Sequence, residues 1–435
     1  MANIVIYSPN VVGKSMAGPA IRAWEFAKAL SKLHDVTLVA PNKADVESSD
    51  FRILRGGDLS LANHLKKADV MITQTVELSL AVFAKRHGVR LIVDAYDPAP
   101  LELLEQLKEL PEAEKKAIQK ARVGNLNFGF KMADCILCAS EKQRDLWIGM
   151  LMGQKLITPA LYEGDSSLRQ YIDVVPFGLT NKPPQKTGPG LRAKYGFKAS
   201  DKVVLWGGGI WNWFDPLSLV KAIGLLAQKR DDIKLVFMGI KNPDLGIPEM
   251  SMSTQAIELA KELGLLDKHV FFNYGWVPYE ERQNHLLDAD IGVSTHFNHL
   301  ETRFSFRTRL LDYIWAELPI LATEGDSFAD IIRQKGLGIV VPYMDEVAIV
   351  DAIESLIENP ERIREIKSRL RVLQPEFYWD RVVGPINTMI GKFDLMHKKA
   401  WSLRDLRECL SFFGNKVREK GVRTCLKKIF SKGSI

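Results

Sequence analysis

Short apolar runs rich in Val and Ile alternate along this chain with amphipathic stretches of about ten to fifteen residues, the βαβ rhythm of a parallel sheet. The first series reads NIVIYS, DVTLVA, DVMIT, RLIVDA and DCILCAS, and a second reads KVVLWG, IKLVFMG, HVFFN, DIGVST, LPILAT and GIVVP. Between them lies GLTNKPPQKTGPG, residues 178–190, whose three prolines and three glycines suit an exposed linker. The pattern predicts an α/β chain of two facing, doubly wound, Rossmann-like domains, residues 1–177 and 191–375. Residues 376–393, from EFYWDRVVGPINTMI on to Phe393, read as a helix that closes the second domain or crosses back to the first, and 394–435 as a tail. Such sheets bind ligands at the carboxyl ends of their strands, so two of them face to face make one deep cleft, suited to two substrates.

Composition narrows the class. With 46% hydrophobic and 26% charged residues, the chain is neither collagenous nor largely disordered. The opening MANIVIYSPN reads as a first strand and not as a leader, and no uninterrupted apolar run is long enough to span a bilayer. Four cysteines, Cys135, Cys138, Cys409 and Cys425, are too few for a disulfide framework, so a cytoplasmic protein is expected. The net charge of +6 is unevenly placed: 394–435 holds eleven Lys and Arg against four Asp and Glu. The body is therefore close to neutral, which argues against nucleic acid as a partner.

Candidate chemistry gathers at strand ends. After DIGVST comes Glu301-Thr-Arg303-Phe-Ser-Phe-Arg307-Thr308-Arg309-Leu-Leu-Asp312, with a helix expected to start near Thr308, its plausible cap. Arg303, Arg307 and Arg309 around a helix start suit a diphosphate, and Asp312, one turn in, could accept two hydrogen bonds from vicinal ribose hydroxyls. After KVVLW, the loop Gly207-Gly208-Gly209 lets backbone approach a phosphate, ahead of Trp211, Asn212, Trp213 and a helix near Asp215 and Pro216. It is not a dinucleotide fingerprint: Asn212 stands at the third glycine position, and the next strand ends at Gly239 where a ribose-binding acid belongs. On the first domain, Ala17-Gly18-Pro19 with Arg22 and Asp94-Ala-Tyr96-Asp97-Pro98 end strands that face the same cleft. His296, His299 and Glu301 have loop spacing open to a metal but lack a further ligand nearby, and Cys135 and Cys138 lie in a strand, so no metal and no cofactor is expected.

These residues resemble the retaining glycosyltransferases of family 4, which have the GT-B fold. The resemblance rests on Gly18-Pro-Ala-Ile-Arg22, Val174-Val-Pro-Phe-Gly178, the Gly207 to Gly209 loop and the stretch from Arg309 to Pro319. It implies a nucleotide-sugar donor held by the second domain, a glycan or lipid-linked acceptor on the first, metal-independent transfer with retention at the anomeric carbon, and a role in cell-surface polysaccharide synthesis. By the same resemblance Asp312 takes the ribose, Thr308 and Arg309 the diphosphate, and Gly275, Trp276 and Val277 lie near the nucleobase. The expected donor site is thus Gly208, Gly209, Asn212, Gly239, Trp276, Val277, Arg303, Thr308 and Asp312. Arg307, Arg309, Glu301 and Asp97 are expected to be catalytic, and Gly18, Arg22 and Tyr96 to meet the acceptor. Two departures stand out: Phe304 replaces the family's first Glu, with Glu301 the nearest substitute, and IWNWFDPL lacks the usual Arg and Lys. They leave open a catalytically silent scaffold of the same fold, and a sugar-nucleotide epimerase is the other alternative.

The tail carries Leu403, Leu406, Leu410, Phe413 and Val417 at helical spacing, opposite Arg404, Arg407, Lys416 and Arg418. A second patch, Val422, Leu426, Ile429 and Phe430, is interleaved with Arg423, Lys427 and Lys428. A basic amphipathic helix of this kind is expected to lie on the anionic inner face of a membrane, the competing expectation being that it buries the same stripe on the protein body.

Overall fold

Every apolar run of the two series becomes a strand. In the computed structural model, which describes residues 1–56, 61–241, 243, 250–393 and 402–420, the first sheet contains β1 (Asn3–Tyr7), β2 (Asp35–Ala40), β3 (Arg52–Arg55), β4 (Val70–Thr73), β5 (Arg90–Asp94), β6 (Cys135–Cys138) and β7 (Ile172–Val174). Their order is β3-β2-β1-β4-β5-β6-β7, with every pairing parallel. The second sheet contains β8 (Lys202–Trp206), β9 (Ile233–Phe237), β10 (Val270–Phe272), β11 (Ile291–Ser294), β12 (Ile320–Thr323) and β13 (Gly338–Val341), in the order β10-β9-β8-β11-β12-β13, again parallel. Parallel pairing forces a crossover after each strand, and the crossover helices cover both faces. Val203, Val204, Leu205 and Trp206 accordingly all have 0% exposure, although they point alternately to opposite sides of the sheet.

β3 and β7 were not expected from sequence. Both are short edge strands, RILR and IDV, with polar residues at or inside their ends, so neither carries the continuous apolar signal of a central strand. In each sheet the direction of winding reverses between two neighbours, β1 and β4 in the first and β8 and β11 in the second. These are the switch points where a doubly wound sheet opens a crevice.

Residues beyond the second sheet cross back to the first domain. Helices Trp379–Val382 and Gly384–Lys392 do so: the Trp379 ring lies 5.8 Å edge-on to Phe26 and 5.1 Å from Phe177, and His34 Nε2 meets Asn387 Oδ1 at 3.1 Å. Trp379 N–H donates to the Leu179 carbonyl (2.9 Å), and Leu179 N–H to that of Phe377 (2.7 Å), so the linker and the returning chain run side by side. The linker is less loose than its composition implies. Gly178 and Leu179 are buried, Trp315 Nε1 donates to the Lys182 carbonyl (2.7 Å), and Asn284 Oδ1 accepts from Thr187 N–H (2.7 Å).

The tail helix, Leu403–Lys420, packs on the first domain, but by a face other than the expected stripe. Asp405 and Cys409 are buried, Phe412 stacks on Phe128 at 4.1 Å, and Lys131 Nζ pairs with Glu408 at 2.8 Å. Leu403, Leu406 and Leu410 remain 87%, 40% and 62% exposed. The second basic patch, from Val422 to Phe430, and Cys425 lie outside the described residues. Among the described residues no helix is long and apolar enough to cross a membrane.

Candidate active site

Loops from the carboxyl ends of both sheets enclose a cavity of about 1080 Å³. On the second-domain side, β8 runs into Gly207-Gly208-Gly209, which all line it. Gly208 has φ +80°, the left-handed region that favours glycine, and this turns the chain back toward the cavity. Tyr313 sets the loop: its hydroxyl accepts from Gly207 N–H (2.7 Å) and lies within hydrogen-bond distance of the Leu205 and Val293 carbonyls. The ring fits there because residue 292 is glycine; a Cβ at that position would lie 2.4 Å from the ring. Trp211 and Trp213 stack at 5.3 Å and both line the cavity, as do Asn212, Gly239, Trp276 and Val277, whereas Gly275 does not. The Asn212 side chain is engaged by Met252 N–H (3.1 Å), which braces the loop. Asp215 caps the helix Pro216–Ala227, accepting from Ser218 N–H at 3.0 Å.

The arginine segment divides three ways. Arg303 is exposed over the Phe304 ring and is not on the cavity wall, which corrects its expected donor role. Arg307 lines the cavity and is held from behind by a bidentate pair with Glu301 (2.8 and 2.7 Å), both side chains buried. Glu301 itself does not line the cavity. Its placement is that of a positioning residue for Arg307, not of the catalytic group expected.

Arg309 is the unusual group. It is 9% exposed, lies over the rings of Trp206 (4.5 Å) and Phe214 (4.3 Å), and donates through Nη2 to the Gly209 carbonyl (2.8 Å). Nη1 has no hydrogen-bond partner, and no carboxylate among the described residues pairs with this guanidinium. Burial, reinforced by the nearby Arg307 charge, pulls its pKa down to about 9, which still leaves it charged at neutral pH.

The helix that follows, Arg309–Trp315, has Thr308 at its cap position, but the Thr308 side chain makes no capping hydrogen bond, because its backbone is already helical (φ −57°, ψ −30°). Thr308 and Asp312 line the cavity. Asp312 Oδ1 is already engaged by Arg282 Nε at 3.0 Å, a residue the sequence reading passed over; Arg282 is sandwiched by Tyr279 (3.8 Å) and Trp315 (4.5 Å). His296 and His299 are also committed: His296 Nε2 lies 2.9 Å from Asp326 and His299 Nε2 3.0 Å from the Trp213 carbonyl. Burial, together with Arg307, holds the His296 pKa well below its usual value, so this ring is neutral.

The first-domain wall is formed by Gly18, which opens the helix Gly18–Leu30, and by Tyr96 and Asp97 after β5. Arg22 departs from expectation. It is fully buried, chelating Asp94 through Nε (2.7 Å) and Nη2 (2.8 Å) and donating to the Val175 and Pro176 carbonyls, so it ties together the ends of β5 and β7 and does not reach the cavity. Asp97 shares the cavity wall with Glu102, another residue not singled out from sequence. Burial lifts Asp97 to about 7 and Glu102 well above the usual carboxylate range, so a proton is retained here near neutrality.

Residues 190–371 match the family described as Glycosyl transferases group 1. The match covers most of the second domain and less than half of the chain. A curated relative, EpsD of Bacillus subtilis (strain 168), whose glycosyltransferase name is provisional, is 27% identical over 213 residues, 49% of this chain and 51% of EpsD. The chain thus spans about half the length of the curated relative it matches. Among solved structures, sucrose-phosphate synthase from Thermosynechococcus elongatus superposes with a TM-score of 0.62 at 16% identity, covering 89% of this chain and 98% of its own. HepE from Anabaena, in complex with UDP and glucose, gives 0.62 at 14% identity over 90% and 100%. At such identities the likeness is one of fold: the two domains are the two facing Rossmann-like halves of GT-B.

Proposed function

We propose that the protein is a glycosyltransferase that moves a sugar from a nucleotide-sugar donor to a glycan or lipid-linked acceptor, retaining the anomeric configuration and requiring no metal. The observation that carries the reading is Arg309: a buried cation on the cavity wall, without a carboxylate partner and with Nη1 unsatisfied among the described residues. Burying an unpaired charge is costly, and a diphosphate placed against it would supply the missing anion. Arg307, fixed by Glu301, brings a second guanidinium to the same cavity, so the two together can carry the charge that a divalent cation would otherwise balance.

The chemistry follows from that placement. As the bond between the anomeric carbon and the diphosphate oxygen breaks, negative charge grows on the leaving group, and preorganised guanidinium groups stabilise it more than they stabilise the ground state. The acceptor oxygen bonds to the anomeric carbon from the same face, and its proton passes to the departing phosphate. The Asp312 carboxylate would orient the ribose, and Trp276 and Val277 would flank the base. HepE, which was solved with UDP-glucose, has the same fold and supports a donor of this class. The exposed leucines of helix Leu403–Lys420, with the exposed Arg407 beside them, support peripheral attachment to an anionic membrane, where cell-surface polysaccharides are begun. Incubation with UDP-, GDP- and dTDP-sugars, scored by release of the nucleoside diphosphate and by proton NMR of the anomeric product, tests the reading. Turnover of one class to an anomer of unchanged configuration is expected; no turnover with any of them, or an inverted product, would overturn it.

A further inference from the structure

The group 1 match ends at residue 371, yet the cavity has a wall made by residues far beyond it. Phe412, Phe413 and Lys416 of helix Leu403–Lys420 line the same cavity as Arg309. The helix reaches that position because Asp405, Cys409 and Phe412 fall on one face, which the Phe128 stack and the Lys131–Glu408 pair fasten to the helix Glu112–Met132. The first domain contributes Leu103, and the helix Glu112–Met132 itself adds Leu126 and Arg122 to the lining. The result is a first-domain arm of the cavity with aromatic and aliphatic side chains and two cations, Arg122 and Lys416, alongside Gln106, Asn125 and the carboxyl groups of Glu102 and Glu109. Phe413, expected to share a face with the leucine stripe, thus lines the cavity while Leu403, Leu406 and Leu410 do not, and Lys416, expected on the opposite basic face, lines it too.

A sugar ring alone is recognised by hydrogen-bonding groups and a flat aromatic face; an arm of leucines and phenylalanines with two cations suits a molecule with an apolar chain and an anionic head. The outer side of the same helix presents Leu403, Leu406 and Leu410 to the exterior. We propose that this arm is the acceptor subsite for an alkyl or isoprenyl phosphate: Phe412, Phe413, Leu103 and Leu126 hold the first carbons of the chain, while Arg122 and Lys416 hold the phosphate. The proposal rests on the glycosyltransferase reading for its place in the reaction, but the subsite itself is a binding property of the apo protein.

The test is a titration of the full chain with decyl phosphate below its micelle concentration, followed by tryptophan fluorescence and by thermal shift. Inorganic phosphate and decyl maltoside are run as the separate arms. Decyl phosphate is expected to saturate and to raise Tm, inorganic phosphate and decyl maltoside are not, and Lys416→Gln and Arg122→Gln are each expected to weaken decyl phosphate binding by tenfold or more. Both substitutions keep a polar side chain of similar length, and the urea midpoint of each variant is recorded to show that it folds; an unfolded Lys416→Gln leaves Arg122→Gln to decide. Equal binding of inorganic phosphate, equal binding of decyl maltoside, or unchanged affinity in the folded variants would overturn the assignment. UDP titration of the wild type, recorded in parallel, separates the two ideas: UDP binding without decyl phosphate binding defeats the subsite alone, and the reverse defeats the donor reading alone.

Discussion

Replacing Glu301 with Gln perturbs the site without touching the cavity wall. In the wild type the Arg307 guanidinium donates to both Glu301 oxygens, at 2.8 and 2.7 Å, with the two residues 5% and 1% exposed. Removing one partner of a buried pair typically costs about 3–5 kcal/mol, because the survivor is left charged and desolvated. Two features place this case at the lower end: Gln keeps one carbonyl acceptor, and the Asp326 carboxylate lies 3.9 Å from Arg307 Nε. We therefore expect a loss of about 3 kcal/mol in urea unfolding, together with a weaker nucleoside diphosphate complex, since Arg307 is no longer held at the wall. The double variant Glu301→Met, Arg307→Met separates the two effects. Exchanging a whole buried pair for apolar side chains of similar size is often neutral or better, so stability should return to within about 1 kcal/mol of wild type, while ligand affinity stays low. A single variant that loses less than about 1 kcal/mol, below the usual cost of an orphaned buried charge, and still binds ligand at full strength would refute the claim that Glu301 positions Arg307.

Three further outcomes follow from the same geometry. Arg309→Met should make the ligand-free protein more stable, by about 1–3 kcal/mol, since it removes a buried cation that has no carboxylate partner among the described residues, while nucleoside diphosphate binding measured by calorimetry falls tenfold or more; a destabilised apo protein would contradict this. Asp312→Asn should weaken donor binding by about 1.5–3 kcal/mol, the worth of a hydrogen bond to a charged acceptor, and an unchanged Kd in a folded variant would dismiss the ribose assignment. Asp97 is lifted to about 7 from 3.8, so the folded state holds a proton that the unfolded chain releases, and this contribution to stability is full below 3.8 and is lost as pH rises to 7. Asp97→Asn, which mimics the protonated form, should therefore raise the urea midpoint more at pH 8 than at pH 5; an equal gain at both would show that Asp97 ionises normally.

The parts of this molecule readable from sequence are those encoded by local pattern. Eleven strands announce themselves as apolar runs, the edge strands β10 and β13 included, whereas β3 and β7, edge strands carrying polar residues, do not. At the site, Arg309, the glycine loop and Trp211 with Trp213 were legible because strand-end position alone carries them toward the cleft. Arg22 was misread for the opposite reason: its destination is decided by Asp94, seventy-two residues away in the chain, and by two carbonyls beyond that. The Arg282 contact with Asp312 and the role of Glu301 behind Arg307 are likewise products of packing. In the tail, periodicity gave a helix correctly, but the most apolar stripe was not the buried one. Phe412 and Glu408, with partners on Glu112–Met132, decided which side faces the body.

The central claim is that Arg309 marks the binding site of a nucleoside diphosphate group. Trp211, Trp213 and Trp276 all line the cavity, so ligand entry is reported by intrinsic fluorescence without a label. Titration of the wild-type protein and of Arg309→Met with UDP, GDP and dTDP tests the claim most directly. A saturable fluorescence change with at least one of the three, weakened tenfold or more by the substitution, is the result predicted; saturation unaffected by Arg309→Met, or no response to any of the three, would contradict it.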